Sequence, residues 1–234
     1  PAKGADHPIR QDFAARFGRL STLREDARTA DDFARVFTEL TDWHISLGEA
    51  GEDGLLDTVR SMMDDLRRDF GVWVIDHYAR WMAGSEDRPR LSVDLVREFL
   101  VPRLGSDPVY FVVLDCMRLD QWRVIAPLLT EYFEIEETYH YSILPTATPY
   151  ARNAIFSGQY ADEIAKKRPE WWDQSDDEGS LNAFEDKLLF EQLRRITGRD
   201  VHVHYEKIFS DRQGEQVRAR VKSALKKPGA VIAM

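Results

Sequence analysis

The six residues Val109-Tyr-Phe-Val-Val-Leu114 are apolar, β-branched or aromatic throughout, and an acid, Asp115, ends the run. The run is too short for a helix and too uniformly apolar for a strand with one wet face, so it reads as a buried strand of a parallel sheet. Such a sheet needs crossover connections and cover on both faces, which confines the surrounding chain to an α/β architecture. Asp115 then stands at the carboxyl end of the strand, the edge where open α/β sheets hold their ligands.

Downstream of Ser106-Asp-Pro108 the pattern alternates as this architecture demands. The spacing predicts a strand over 109–114, a helix near 119–130, a strand near 133–143, helices over 149–157 and near 181–197, a strand near 201–205 and a helix near 213–226. Ala230-Val-Ile-Ala-Met234 opens one more strand, and Pro127 should kink the first of these helices or end it early. The loop Lys166–Gly179 is longer than connections usually are. Its basic triplet, Lys166-Lys-Arg168, followed by Trp171 and Trp172, reads either as a contact for a phosphorylated, base-bearing ligand or, more plainly, as an insertion anchored by its two tryptophans.

Residues 1–104 follow a different period. Phe13, Phe17, Leu20 and Leu23 share one face of a first helix. Thr29 and Asp32 form a capping-box-like start to a second, with the stripe Phe33, Val36, Phe37, Leu40, Trp43 and Leu47. A third carries Leu55, Val59, Met62, Leu66, Phe70, Trp73 and Trp81, and after the loop Gly84–Arg90, Ser92 caps a short connecting helix. The expected organisation is a three-helix bundle with its connecting helix over 1–104 and an α/β domain over 105–234. Trp43, Trp73 and Trp81 at helical spacing read as bundle core rather than a stacking box, and His44 and His77 lack second ligands at metal-binding spacing. Such a bundle suits a spacer, a signal relay or a dimerisation element.

At 234 residues the chain can bury one or two cores. Its formal charge of -9 argues against a broad footprint on duplex nucleic acid. No apolar run reaches membrane-spanning length, and the start lacks a signal-peptide pattern. The single cysteine, Cys116, suits a reducing cytoplasm and reads as a small buried filler ahead of a reactive thiol. Both ends, Pro1 and the strand-like close at Met234, read as cuts in a longer protein.

A second stretch, Leu144-Pro-Thr-Ala-Thr148-Pro149-Tyr-Ala-Arg152-Asn153, opens a helix with Thr148 at the N-cap, Pro149 at the first helical position and Gly158 placed to stop it. A hydroxyl there stands where backbone N–H groups point at an anion. An aspartate is a hard donor for a divalent cation, which can depress the pKa of a neighbouring hydroxyl. With Arg152 one turn into the helix, Asp115 and Thr148 describe phosphoryl transfer through a covalent phospho-threonine. Each part also has a plain reading: a strand-end acid, a helix cap and a surface ion pair. Asp120 reads as support for a metal ligand or as a helix-start acid, and His202 and His204 share a strand face without an evident zinc partner.

The passages Phe111–Trp122 and Tyr141–Gly158, above all Leu144-Pro-Thr-Ala-Thr148-Pro-Tyr-Ala-Arg152-Asn-Ala-Ile-Phe-Ser-Gly158, resemble the PglZ domain of the alkaline phosphatase superfamily. The whole layout, bundle included, resembles PorX-type response regulators, which join a receiver domain, a three-helix bundle and a PglZ domain. The resemblance implies part of an α/β/α domain with a mostly parallel sheet. It implies Asp115 as the first-strand metal ligand and Thr148 as nucleophile and metal ligand, with Thr146 the competing candidate and Arg152 in a supporting role. Two zinc ions are implied, with the remaining ligands expected beyond Met234. The implied activity is zinc-dependent hydrolysis of phosphoesters, with nucleotide or oligonucleotide phosphodiesters as substrates, in the cytoplasm of a bacterium. The implied partners are a receiver domain, a sensor kinase and a second copy of the chain. The alternative is a catalytically silent module that binds a nucleotide or a protein partner in signalling.

Overall fold

A computed structural model describes residues 8–172, 182–208 and 213–234. The part of the long loop from Asp173 to Gly179, and the position at which the helix near 181 was expected to begin, lie outside the described residues. Contacts divide the chain into two compact units, Pro1–Pro89 with Cys116–Tyr139, and Arg90–Asp115 with His140–Met234.

The first unit holds α1 (Pro8–Glu25), α2 (Ala30–Glu49), α3 (Asp53–Met82) and α4 (Leu119–Leu129), with α2 packed against the other three. The α2 start is the capping box read from Thr29 and Asp32. The Asp32 N–H donates to the Thr29 hydroxyl at 3.2 Å, and the Asp32 carboxylate accepts from the Thr29 N–H at 3.1 Å. Behind it Phe33, Val36, Leu40, Trp43 and Leu47 are buried against Leu56, Val59, Met62 and Leu66 of α3 and Leu20 of α1. Trp43 and Trp81 are buried, and Trp73 packs on Phe33 and Trp81 at ring distances of 5.3 and 5.0 Å, so the tryptophans are core. His77 is engaged through Nδ1 with the Trp73 carbonyl at 2.7 Å.

The strand expected near 133–143 is not present. Only Tyr141 makes a single parallel bridge, to Leu91, and Tyr132 and Phe133 are exposed. A strand needs a partner for its ladder groups, and this segment instead engages through side chains. Glu137 accepts from Trp122 Nε1 at 2.7 Å and from the Tyr139 hydroxyl at 2.6 Å, while Arg123 pairs with both Glu137 and Asp42. Cys116, expected as buried filler, is exposed and has a left-handed backbone with φ of 61°, because the chain turns sharply after Asp115 rather than continuing the strand. The α4 helix runs through Pro127 and ends at Leu129.

The second unit is built on a parallel sheet of β1 (Val109–Phe111), β2 (Val203–Tyr205) and β3 (Val231–Ala233), in the order β1-β3-β2. Val231 faces Val109 on one side and Val203 on the other, which puts Val109, Phe111, Val203, Tyr205, Val231 and Ala233 on one face. That face is covered by α5 (Thr148–Ser157), α6 (Ala161–Lys167) and α7 (Glu185–Thr197), through Phe156, Ile164, Leu188, Leu189 and Leu193. Ile232 points the other way and packs with Ala224 of α8 (Gly214–Ala224). That second face is covered over β3 but not over β1: the strand expected to be buried along 109–114 spans only Val109–Phe111, and Tyr110, Val112 and Leu114, which alternate onto this side, are exposed because α8 packs over Ile232 and not over them. Ahead of β1, Ser92–Arg103 forms two tight 3-10 turns, Ser92–Asp94 and Val101–Arg103, on either side of a wider π-helical turn, Val96–Leu100, rather than one regular short helix.

Gly158 ends α5 with φ of 62°, a left-handed cap that glycine adopts without strain. The buried Gln192 of α7 seals this end. With its amide turned so that donors meet acceptors, it donates to the carbonyls of Ile155 and Phe156 at 3.1 and 2.8 Å and accepts from the Gly158 N–H at 3.2 Å. A Cβ on Gly158 would fall 2.2 Å from that amide and 3.3 Å from the Val93 carbonyl.

Two stability changes are expected in urea unfolding of the chain. Gly158→Ala combines a strained backbone with a clash and should cost about 1–3 kcal/mol. Thr29→Ala should cost about 1 kcal/mol, and a midpoint unchanged from the natural protein would mean that the box adds nothing to α2.

Candidate active site

Asp115 follows β1 at the carboxyl end of the sheet, where the ladder continues through a Val113 N–H donated to the Met234 carbonyl at 2.8 Å. Its carboxylate is 38% exposed and lies 3.6 Å from Arg152 Nη1. Arg152 projects from the second turn of α5, so that helix meets the strand end through a charged pair. Thr148, one turn before Arg152, lies on the same face of α5 and is half-buried.

The expected cap is corrected by one residue. The Ala147 carbonyl accepts from the N–H groups of Tyr150 and Ala151, both at 3.0 Å, which makes Ala147 the capping residue and Thr148 the first helical one. Thr148 therefore does not occupy the capping position, and the residue that does, Ala147, has no side chain able to cap. Thr146 is exposed and precedes the cap.

Behind Arg152 stands a group that the sequence reading did not single out. Glu185, the first residue of α7, has no exposed side-chain surface and accepts from Arg152 Nη2 at 2.5 Å. The Tyr205 hydroxyl, at the end of β2, also donates to Glu185, and Asn182 Nδ2 donates to its other oxygen at 3.2 Å. Asn182 reaches Asn153 on α5 at 3.3 Å as well. The Arg152 guanidinium thus spans an exposed and a buried carboxylate, while its Nε is buried without a hydrogen-bond partner among the described residues. The available signal was position: Glu185 falls on the stripe with Leu188, Leu189, Gln192 and Leu193, and an acid on an apolar stripe must find a partner.

The remaining candidates sit elsewhere. Asp120 is clasped by Arg118 through two contacts of 2.9 Å in the first turn of α4, within the first unit. His204 lies 3.0 Å from Glu206, which also takes Arg220 at 2.7 Å. Trp172 packs on Tyr150 and Trp171 on Phe184, with Arg168 turned onto Glu191, so both tryptophans and the basic residue are used in packing. Among the described residues no group of three His, Cys, Asp or Glu side chains is placed to hold a metal ion. Asp115 and Thr148 do offer carboxylate and hydroxyl oxygens, donors of the kind a zinc ion accepts as part of its set.

Comparison with family models decides the relationship. Residues 95–226 match the model described as the BREX system PglZ alkaline phosphatase-like domain. The chain belongs to the PglZ family. Asp115, Thr148, Arg152, Glu185 and Tyr205 all fall inside the matched PglZ region. Residues 6–82 match the PorX response regulator linker domain, which covers the three helices of the bundle. A PglZ domain behind this linker is a phosphoesterase-type output domain of a response regulator. Comparison with curated proteins finds no significant match. Among the described residues no helix is long and apolar enough to cross a membrane.

Within the PglZ unit, burial and then the hydrogen bond and charge of Glu185 push the Tyr205 phenol well above its ordinary pKa of 10.0. The folded protein therefore keeps a proton that the unfolded chain releases, and this group's contribution to stability falls as pH rises above 10.0. In an alkaline titration of phenolate absorbance just above that pH, the natural protein and Tyr205→Phe should give the same signal while folded. A signal lost in the variant would show Tyr205 ionising normally.

Proposed function

We propose that this chain contributes the nucleophile, Thr148, and two metal ligands, Asp115 and Thr148 itself, to a zinc-dependent phosphodiesterase acting on nucleotide or oligonucleotide phosphodiesters. The observation that carries the reading is the meeting of Asp115 and Arg152 at the carboxyl edge of the sheet, with Thr148 one turn earlier on the same helix face. A hydroxyl in the first turn of a helix, a fixed guanidinium and a strand-end carboxylate are the parts that phosphoryl transfer through a covalent intermediate needs.

In this reading the Thr148 oxygen attacks phosphorus, the bond to the leaving alcohol breaks, and water later cleaves the phospho-threonine. Asp115 and Thr148 would hold zinc, whose chemistry is to lower the pKa of a coordinated hydroxyl. The first turn of α5 presents backbone N–H groups and about half a positive charge to the incoming phosphoryl oxygens. Arg152 offers its Nη1 edge to the same anion, a charge-assisted hydrogen bond of the stronger kind. The linker match supports placing this output in a two-component system, with a receiver domain phosphorylated by a sensor kinase and pairing of two copies through the regulator.

The test is zinc-dependent hydrolysis of a generic aryl phosphodiester by the full-length natural protein beside Thr148→Ala. Loss of about a hundredfold or more in kcat is expected on removing a covalent nucleophile. Equal activity in both proteins would move the role to Thr146 or a metal-bound hydroxide. Absence of activity in both would favour a silent binding module.

A further inference from the structure

We infer that Glu185 and Tyr205 are positioning residues for Arg152: together they hold its guanidinium so that one edge faces the phosphoryl site beside Asp115 and Thr148. The inference rests on the phosphodiesterase reading above and adds two residues to it.

The geometry separates the two ends of the arginine. Nη2 is bound to a carboxylate with no exposed side-chain surface, and the arginine side chain itself is only 18% exposed. Nη1 is directed to Asp115, whose carboxylate is the exposed member of the set. Glu185 is itself fixed from two further directions, by the Tyr205 hydroxyl at the end of β2 and by Asn182. The rear of Arg152 is therefore anchored to α7 and β2, and its front is at the strand edge.

A purely structural purpose accounts poorly for this arrangement. Burying an ion pair costs desolvation of both charges, and an apolar pair of similar volume would join α5 to α7 at least as well. What the pair supplies, and an apolar one would not, is a cation held in a fixed orientation. An arginine on a free side chain must lose its rotamer freedom each time it binds an anion. Here Glu185 and Tyr205 have removed that freedom beforehand, which is how fixed donors lower a barrier in which negative charge develops. A cation that binds Asp115 would compete with Nη1 for that carboxylate, and the anchor at Glu185 would keep Arg152 in place when it did.

The experiment is a double-mutant cycle on the full-length protein, with the aryl phosphodiester as substrate and zinc present. Glu185→Gln keeps the shape and removes the charge. It should lower kcat about tenfold or more with KM little changed. Arg152→Gln should lose at least as much, and the double variant should be no worse than Arg152→Gln alone, since both act through one group. Tyr205→Phe, which removes a single hydroxyl, should lose several-fold in kcat while its melting curve stays close to the natural one. Losses that multiply in the double variant would overturn the inference, as would a folded Glu185→Gln with natural kcat. If Glu185→Gln does not fold, Tyr205→Phe decides, and natural kcat there overturns it. A natural protein active but insensitive to these changes leaves the phosphodiesterase reading standing. An inactive natural protein removes both.

Discussion

A carboxylate with no solvent-exposed surface must be paired, and in the second unit the pairing of Glu185 sets the positions of everything around it. Its partners come from three elements: Arg152 from α5, Tyr205 from β2 and Asn182 from the turn before α7. One buried charge thereby fixes a helix face, a strand end and a helix start relative to one another. In the apolar layer beneath, Phe156 sits between the rings of Phe111 and Tyr205, at 6.0 and 5.7 Å. Any shift of α5 along the sheet would leave a buried polar atom of this set without its partner.

In the first unit the corresponding constraint is aromatic. Phe33 meets Phe70 and Trp73, and Phe13 meets Trp43, so rings from three helices interlock around the aliphatic residues of α2 and α3. The polar surface of that unit carries many Arg–Asp pairs three residues apart on α3, such as Arg60–Asp57 and Arg67–Asp64. Exposed pairs of this kind add little stability. The stability of the unit comes from the stripe and from the hydrogen-bonded α2 start.

The sequence was most informative where one period ran without interruption. The α2 and α3 stripes, the capping box at Thr29, the glycine stop of α5 and the presence of a parallel strand ahead of Asp115 all follow from spacing and residue type, although that strand is shorter than its apolar run and exposed on one side. It misled where a local pattern had no partner to act on. Phe133-Glu-Ile-Glu alternates as a strand should, yet only Tyr141 finds a bridge. Cys116 was read as a small buried filler and is an exposed turn residue. The site was legible as far as Asp115, Thr148 and Arg152, whose types carry their own chemistry. Glu185 and Tyr205 were not, because an acid opening a helix is ordinarily a surface feature that favours the helix dipole. Only its place on the Leu188–Leu193 stripe distinguishes it, and which distant cation it meets depends on the fold.

The strand order has a consequence for how the sheet is assembled. In β1-β3-β2 the middle position belongs to the strand that comes last of the three in sequence, and neither β1 nor β2 pairs with the other. Until Val231–Ala233 is in place, Val109–Phe111 and Val203–Tyr205 each lack a ladder neighbour among these strands. On a ribosome β1 and β2 emerge before either can pair with β3. The contacts that complete it span most of the unit, which makes sheet closure a late and slow event. Throughout that interval the backbone edge of β1 that β3 later covers has no partner among the described strands, the kind of edge that invites pairing with another chain.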